Sequence, residues 1–254
     1  MLGPEEREPG LRGDTGHPVR LRFSKRGPVR FISHRDVARA FERAFRVAEL
    51  PLAFSAGFSP HPKISFGPAL AVGYESDAEY LDLECTEAVP ETRWTDEVTA
   101  ALPEGMAVTG VAPLAERAPS LQEEISVLAY EVTLGGIPAG ALGPVVADLL
   151  GRASVEVTVS RKGEARIDDI RPSVLALHQP RPDEACVVVE VATRPRTLRV
   201  VDVVNGLRAV AGDAWPIEES RVRRTYQWIE RGGARHEPLD VDRRSDTRTL
   251  EACA

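Results

Sequence analysis

The sequence is poor in the residues that build metal centres and redox sites. Its three cysteines, Cys85, Cys186 and Cys253, lie far apart, whereas zinc and iron–sulfur motifs need cysteines a few residues from one another. A glycine-rich phosphate loop and a nucleophile elbow are also missing. These absences argue against the common metal, iron–sulfur and P-loop classes, and we predict that this chain holds no metal and no cofactor.

Long apolar runs are missing as well. No stretch approaches the roughly 18 apolar residues that cross a bilayer, and residues 1–17 are polar and rich in glycine and proline, unlike a secretory signal. Residues 231–254 are polar and aperiodic. We therefore expect a disordered leader over 1–17, a disordered tail over 231–254, and a cytoplasmic protein without a membrane partner.

The net charge of −7 is unevenly distributed. Between Arg20 and Lys63 ten basic residues stand against three acids (+7), and between Ile64 and Glu131 fourteen acids stand against two arginines (−12). Because association depends on local potential as well as total charge, the first segment can face a polyanion. The plainer alternative is that the two segments neutralise each other as neighbours in one domain.

The first half of the chain has the pattern of a β-α-β-β-α-β unit. Residues 19–24 alternate as a half-buried strand does, and Ser33 with Asp36 has capping-box spacing for a helix from about His34 to Glu49. Strands are also predicted over 63–70, 78–85 and 105–114, with a helix over 92–102 before the last of them. Two strand-helix-strand units in this order form a ferredoxin-like sandwich.

A similar succession of strands and helices follows a linker at about 115–121. Strands are predicted over 127–134, 154–163, 166–177, 185–193 and 220–230, and helices over 138–151 and 197–207. We therefore predict an α+β protein of two tandem ferredoxin-like βαββαβ sandwiches with antiparallel sheets. The first domain would span residues 18–114 and the second residues 122–230.

The predicted first helix carries a row of arginines. Arg35, Arg39, Arg43 and Arg46 recur at the spacing that places them along one helix face. Arginine binds phosphate oxygens through paired hydrogen bonds, so this row can follow a nucleic-acid backbone. The alternatives are a solvated helix face or ion pairs with the acidic segment.

Two histidines have surroundings typical of binding sites. His34 falls in the first helical turn, where free N–H groups favour an anion and a neutral imidazole. His61 lies between two prolines that stiffen its loop, so Ser59, His61 and Lys63 can face one ligand. If His34 and His61 converge, they are candidates for an acid–base pair that cleaves RNA. Otherwise each has a structural role.

Aromatic and acidic side chains complete this region. Phe54 and Phe58 are among five phenylalanines interleaved with the basic residues. Such rings can stack unpaired bases, although phenylalanine in strands more often belongs to the core. The acids that follow have the mixed spacing of an exposed sheet edge rather than of a metal site; they are Glu75, Asp77, Glu79, Asp82 and Glu84.

Four strings occur in order within residues 19–84: SHRD (33–36), SAGFSPHPK (55–63), GYES (73–76) and EYLDLE (79–84). On these strings, and more weakly through RIDDIRP (166–172), the chain resembles the radical-SAM-linked protein family. Its members are a domain of unknown function, found alone or fused to a cobalamin-binding radical SAM protein. The resemblance implies a partner that carries an iron–sulfur cluster, S-adenosylmethionine and cobalamin. Family members tend to be encoded near RNA-processing enzymes, which points toward RNA.

Three functions remain open on these observations. The first is a non-catalytic accessory protein that presents RNA to a radical SAM partner. The second is a metal-independent endoribonuclease of tandem ferredoxin-like type, with His34 or His61 transferring protons. The third is an adaptor that binds only protein, through its acidic surface. The candidate substrate-binding residues are Arg30, Ser33, His34, Arg35, Arg39, Arg43, Ser59, His61 and Lys63.

Overall fold

The computed structural model describes residues 16–55, 58, 60–115, 118–161 and 163–244. Within them the fold is mixed α+β, with few helices and one large, mostly antiparallel sheet. The strands are β1 (His17–Lys25), β2 (Ile64–Phe66), β3 (Glu75–Cys85), β4 (Met106–Pro113), β5 (Ile125–Gly135), β6 (Glu156–Arg161), β7 (Glu164–Asp169), β8 (Val174–His178), β9 (Cys186–Ala192), β10 (Glu218–Arg231) and β11 (Ala234–His236). The predicted α+β class is therefore confirmed.

Helices are found mainly between the strands of each half. They are α1 (His34–Val47), a π-helical turn (Arg93–Val98) that continues into α2 (Thr99–Ala101), α3 (Leu121–Glu124), α4 (Ala139–Gly151) and α5 (Val200–Ala211). A 3-10 helix, Gly27–Phe31, stands where the sequence predicted only a turn and a short apolar stretch. In the described part of the chain, every helix is too short or too polar to span a bilayer.

The strands of the main sheet follow the order β4-β1-β3-β10-β5-β9-β8. β2 pairs with β3 on the side away from β1, and β11 pairs with β10. Neighbouring strands are antiparallel except β3 and β10, which run parallel and pair only at Arg223↔Glu75 and Arg224↔Ser76. β6 and β7 pair with each other in a separate hairpin. The main sheet thus passes from one half of the chain to the other at the short contact between β3 and β10.

The helix α1 forms for reasons that are local in the sequence. Ser33 caps it, and the reciprocal hydrogen bonds between Ser33 and Asp36 complete the predicted capping box. Its buried face packs on β1 and β3, where the Phe41 and Phe23 rings meet edge to face at 4.7 Å. The helix ends two residues before the predicted Glu49, whose backbone has a φ of 47°.

A second hydrophobic core lies between α4, α5 and the strands β5, β9 and β10. The sequence predicted one strand over 166–177 in this half, and that prediction is wrong. The Asp169 carboxylate accepts hydrogen bonds from the backbone N–H groups of Val155 (2.8 Å) and Arg171 (3.0 Å). These bonds fix a turn, so β7 stays in the hairpin and only β8 joins the main sheet.

Residues 231–244, predicted as part of a disordered tail, are ordered. β11 pairs with β10, and the segment that follows β11 covers the face of β1 opposite α1. There the buried Arg20 guanidinium donates to the Pro238 carbonyl (3.0 Å), and Glu237 accepts from Arg22 (3.0 Å) and the Tyr80 hydroxyl (2.9 Å). Buried charges need such partners, which composition alone does not reveal. Residues 1–15, in the predicted leader, and 245–254 lie outside the described residues.

The acidic strand β3 is internal, which contradicts its interpretation as an exposed edge. Glu75 and Glu79 are 2% and 8% exposed. Burial alone would raise the pKa of Glu75, but hydrogen bonds from the Gly27 N–H and from Arg221 bring it below its ordinary value. Glu79 accepts from Arg224 at 2.9 Å. Glu75 and Glu79 of β3 therefore bind arginines of β10, a pairing that the charge pattern of the sequence did not predict.

Replacing Arg224 by methionine should lower the free energy of unfolding by about 3–5 kcal/mol, because Glu79 would remain buried and unpaired. The matched control is Arg152→Ala, which removes an exposed ion pair with Asp148 and should change stability little. Urea unfolding followed by circular dichroism measures both. An Arg224→Met variant as stable as the wild type would show that this ion pair does not hold the two halves together.

Candidate functional site

The arginines of α1 form one exposed surface, here called the arginine face: Arg35, Arg39, Arg43 and Arg46. Arg39 approaches Asp36 at 3.6 Å, and both side chains are at least half exposed, so this pair is weak. Within the described residues, Arg43 and Arg46 have no ion pair. Four arginines on α1 stand against the two acids Asp36 and Glu42, so this helix surface is positively charged.

The basic residues of segment 20–63 outside α1 behave differently, because most of them pair with acids of β3 or with Glu237, which follows β11. The pairs are Arg20–Asp82 (2.7 Å), Arg22–Glu237 (3.0 Å), Arg26–Asp77 (2.6 Å), Arg30–Glu75 (3.6 Å) and Lys63–Glu84 (2.7 Å). The alternative of mutual neutralisation therefore applies to these residues. It does not apply to the arginine face.

Several predicted site residues have structural partners. Arg30 pairs with Glu75 and lies over the Phe31 ring at 4.7 Å, and Lys63 pairs with Glu84. The Ser33 hydroxyl is engaged in the helix cap, donating to Asp36 at 2.7 Å. Hydrogen bonds from the Ser33 hydroxyl and the Ser33 N–H lower the pKa of the Asp36 carboxyl. Ser59 lies outside the described residues.

His34 lies at the mouth of a small cavity beneath the first turn of α1. Its ring meets Phe66 edge to face at 5.2 Å. Deeper in the cavity, Lys25 donates to the carbonyls of Arg30 (3.2 Å) and Ile32 (3.1 Å), and burial lowers the pKa of its ammonium group. The cavity measures about 20 Å³, which is room for about one water molecule. It is too small for a nucleotide.

The segment between α1 and β2 forms a second candidate site, here called the hairpin loop (residues 53–63). Phe54 pairs with Pro62 in an antiparallel bridge, and the Ser55 N–H donates to the His61 carbonyl at 2.8 Å. The His61 N–H in turn donates to the Ser55 hydroxyl at 3.1 Å. These bonds and the prolines around His61 hold the described part of the loop in one shape.

The hairpin loop and the C-terminal half of α1 enclose a cavity of about 460 Å³, here called the hairpin cavity. It is lined by Glu42, Phe45, Arg46, Glu49, Leu50, Leu52, Phe54, Pro60, His61 and Pro62. The Phe54 side chain is 54% exposed, and Phe58 is fully exposed. The cavity therefore combines an accessible aromatic ring, two carboxylates, an arginine and an imidazole.

His34 and His61 do not share a site. His34 is the first residue of α1, whereas His61 lies in the hairpin cavity beside residues of the helix's C-terminal half. An α-helix rises 1.5 Å per residue, so the two ends of this 14-residue helix are about 20 Å apart. The two imidazoles line different cavities, and this geometry does not support a paired acid–base mechanism between them.

Glu49 adopts a backbone conformation that glycine favours. Its φ of 47° follows the last residues of α1, where left-handed geometry commonly ends a helix. A side chain there costs folding free energy. Glu42 and Glu49 were not among the predicted site residues, although both line the hairpin cavity. The signal was the spacing of Glu42, Arg46 and Glu49, which places them on one side of the helix end.

The described cysteines are buried and have no catalytic surroundings. Burial raises the pKa of Cys85 to about 12 and also raises that of Cys186. Among the residues that the structure describes, no three histidine, cysteine or acidic side chains are grouped as metal ligands. The described residues thus present a positively charged helix surface and a cavity with an accessible aromatic ring.

Comparison with known proteins gives a family without an assigned activity. One family model, described as "Uncharacterized protein conserved in bacteria (DUF2344)", matches residues 19–201. This confirms the predicted domain of unknown function, while the radical SAM link stays a prediction. None of the curated proteins matches the chain.

Among solved structures, the chain is similar to one described as "Crystal Structure of a Cbf5-Nop10-Gar1 Complex", with 13% identity and a TM-score of 0.45. The match covers 84% of this chain and 49% of the other, so the chain spans about half the length of that relative.

Replacing Glu49 by glycine should raise the free energy of unfolding by up to about 1 kcal/mol, because the left-handed conformation would no longer carry a side chain. Glu49→Ala, which removes the carboxylate but keeps the Cβ, is the control and should bring no such gain. Thermal unfolding measures both variants. A glycine variant less stable than the alanine variant would contradict the strained geometry.

Proposed function

The chain belongs to the DUF2344 family of uncharacterized bacterial proteins, and we propose that it binds RNA as the accessory protein of a radical SAM enzyme. The observation that supports this proposal is the arginine face. Its charges are not neutralised by strong ion pairs, whereas the neighbouring basic residues are paired with carboxylates.

The geometry of the arginine face suits a phosphate backbone. Arg35 and Arg46 are eleven positions apart on α1, or about 16 Å along the helix axis. Four guanidinium groups over that length can meet several successive phosphates, each through paired hydrogen bonds. Because such contacts displace counterions, binding of this kind depends steeply on salt concentration.

The strand order supports two tandem ferredoxin-like units as the scaffold of this function. In the first half the order is β4-β1-β3-β2, and in the second half it is β10-β5-β9-β8. Numbered within each half, and with the β6–β7 hairpin treated as an insertion, both orders read 4-1-3-2. The crossover helices α1, α4 and α5 pack against these strands, as helices do in a two-layer α+β sandwich.

The radical SAM partner is proposed from the resemblance of the SHRD, SAGFSPHPK, GYES and EYLDLE strings. The partner would supply the iron–sulfur cluster, S-adenosylmethionine and cobalamin, and this chain would hold the RNA for it in the cytoplasm. Two alternatives have less support. A nuclease that uses His34 and His61 as a pair would need the two imidazoles close together, but they line different cavities. An adaptor that docks through acidic residues has fewer free carboxylates available, because acids of β3 bind arginines.

The double variant Arg39→Glu/Arg43→Glu should bind single-stranded RNA at least tenfold more weakly than the wild type, and its affinity should fall less steeply with added salt. Fluorescence anisotropy of a labelled oligoribonucleotide over a series of salt concentrations measures both quantities. The matched control is Arg152→Glu/Arg181→Glu, which reverses the same number of exposed arginines outside α1.

Equal loss of affinity in the double variant and in the control would mean that total charge, not the arginine face, governs binding. No RNA binding by the wild type even at low salt would overturn the function itself. Cleavage of the RNA without added metal would instead select the nuclease alternative.

The partnership predicts that this chain and a cobalamin-binding radical SAM protein, expressed together, elute as one complex in size-exclusion chromatography. A radical SAM protein without a cobalamin domain serves as the control. Separate elution of the two proteins under all conditions would contradict the partnership and leave RNA binding unaffected.

A further inference from the structure

We propose that the hairpin cavity binds one unpaired nucleobase that carries an exocyclic amino group. This inference rests on the proposed function and deepens it, because it names the part of the RNA that this chain would recognise beside the arginine face. The cavity volume of about 460 Å³ falls in the range of about 300–1,000 Å³ that is usual for small-molecule sites.

The stacking surface is the Phe54 ring. It is 54% exposed, so more than half of an apolar side chain meets water in the free protein. The bridge between Phe54 and Pro62 holds its backbone, and the His61–Ser55 hydrogen bonds hold the opposite side of the loop. A base can therefore stack on a ring whose backbone is already held in place, and little backbone entropy is lost on binding.

The hydrogen-bonding groups are the carboxylates of Glu42 and Glu49. Both side chains line the cavity, and within the described residues neither has an ion pair. Carboxylates accept hydrogen bonds from the amino groups of bases, as they do from the N4 amino group of cytosine. Uracil has no exocyclic amino group and would turn carbonyl oxygens toward these charges.

The charges around the cavity connect it to the arginine face. Arg46 lines the cavity and belongs to that face, and Arg43 lies one helical turn before it. A nucleotide with its base on Phe54 can thus turn its phosphate toward Arg46, and the neighbouring phosphates toward Arg43 and Arg39. Two other cavities among the described residues, of about 610 and 570 Å³, have no aromatic side chain in their lining. The first involves Arg231, which already pairs with Glu124 and Asp242.

The test compares short labelled oligoribonucleotides of cytidine and of uridine, whose bases have the same ring size and differ at position 4 (amino group against carbonyl oxygen) and at N3 (acceptor against N–H donor). By fluorescence anisotropy, the cytidine oligomer should bind about tenfold more tightly. Phe54→Ala should weaken binding of the cytidine oligomer about tenfold, and Glu42→Gln/Glu49→Gln should abolish the preference for cytidine over uridine. Tyr226→Ala is the control, because it removes another exposed aromatic ring, on β10, and should change neither affinity.

A second arm uses cytidine and uridine monophosphates in titrations followed by NMR, so that the cavity is tested apart from polymer binding. Binding of cytidine monophosphate that depends on Phe54, without binding of the oligomer, would assign the site to a free nucleotide and overturn the RNA function alone. Equal binding of both oligomers by the wild type, with no effect of Phe54→Ala, would overturn the cavity proposal and leave the arginine face intact.

Two further results would also overturn the proposal. One is failure of both cytidine ligands to bind. The other is loss of the complex with the radical SAM partner in Phe54→Ala without any nucleotide binding, which would assign the cavity to protein docking.

Discussion

The buried ion pair between Glu79 and Arg224 is the central polar contact between the two halves of this fold. The parallel contact of β3 and β10 includes only two residue pairs, so side chains rather than a backbone ladder make most of the contact between the halves. The Arg224 guanidinium instead binds Glu79, the carbonyls of Pro68 and Ala69, and the Tyr130 hydroxyl. Every direction in which it can donate is used, which offsets the cost of burying the charge.

This network determines where positive charge remains on the surface. The acids of β3 bind arginines of β10 on one side and basic residues of β1 on the other. Few carboxylates are left for α1, and its arginines stay exposed. The same strand that joins the halves thus accounts for the contrast between a neutralised sheet and a charged helix, which is the basis of the proposed RNA binding.

The helix α1 links the charged surface to the hairpin cavity. Its apolar residues are buried against the sheet, its arginines face the solvent, and its C-terminal end bounds the cavity with Glu49 in a left-handed conformation. Because the hairpin loop is fixed to β3 by the Leu52↔Cys85 bridge and to itself by Phe54↔Pro62, the cavity and the arginine face keep a constant relation to each other. A bound strand would meet both at once.

Local chemistry accounts for the features that could be predicted. The capping box at Ser33, the amphipathic pattern of α1 and the alternation of β1 each depend on residues a few positions apart, so they were evident from the chain itself. The pattern of acidic residues did not predict the position of β3 in the sheet. An acidic strand at the edge of a sheet and one at its centre can show the same alternation of acidic and apolar residues. The interior position of β3 follows from β10, whose residues come about 145 positions later.

The sequence by itself determined the arginine face, since helical periodicity alone places those four residues on one side. Only the tertiary structure decided which basic residues are neutralised. It also placed His34 and His61 at different cavities, and Glu49 and Phe54 at the same cavity. The physical reason is that ion pairs and cavities form between segments distant in the chain, and their partners are chosen by strand order and register rather than by neighbouring residues.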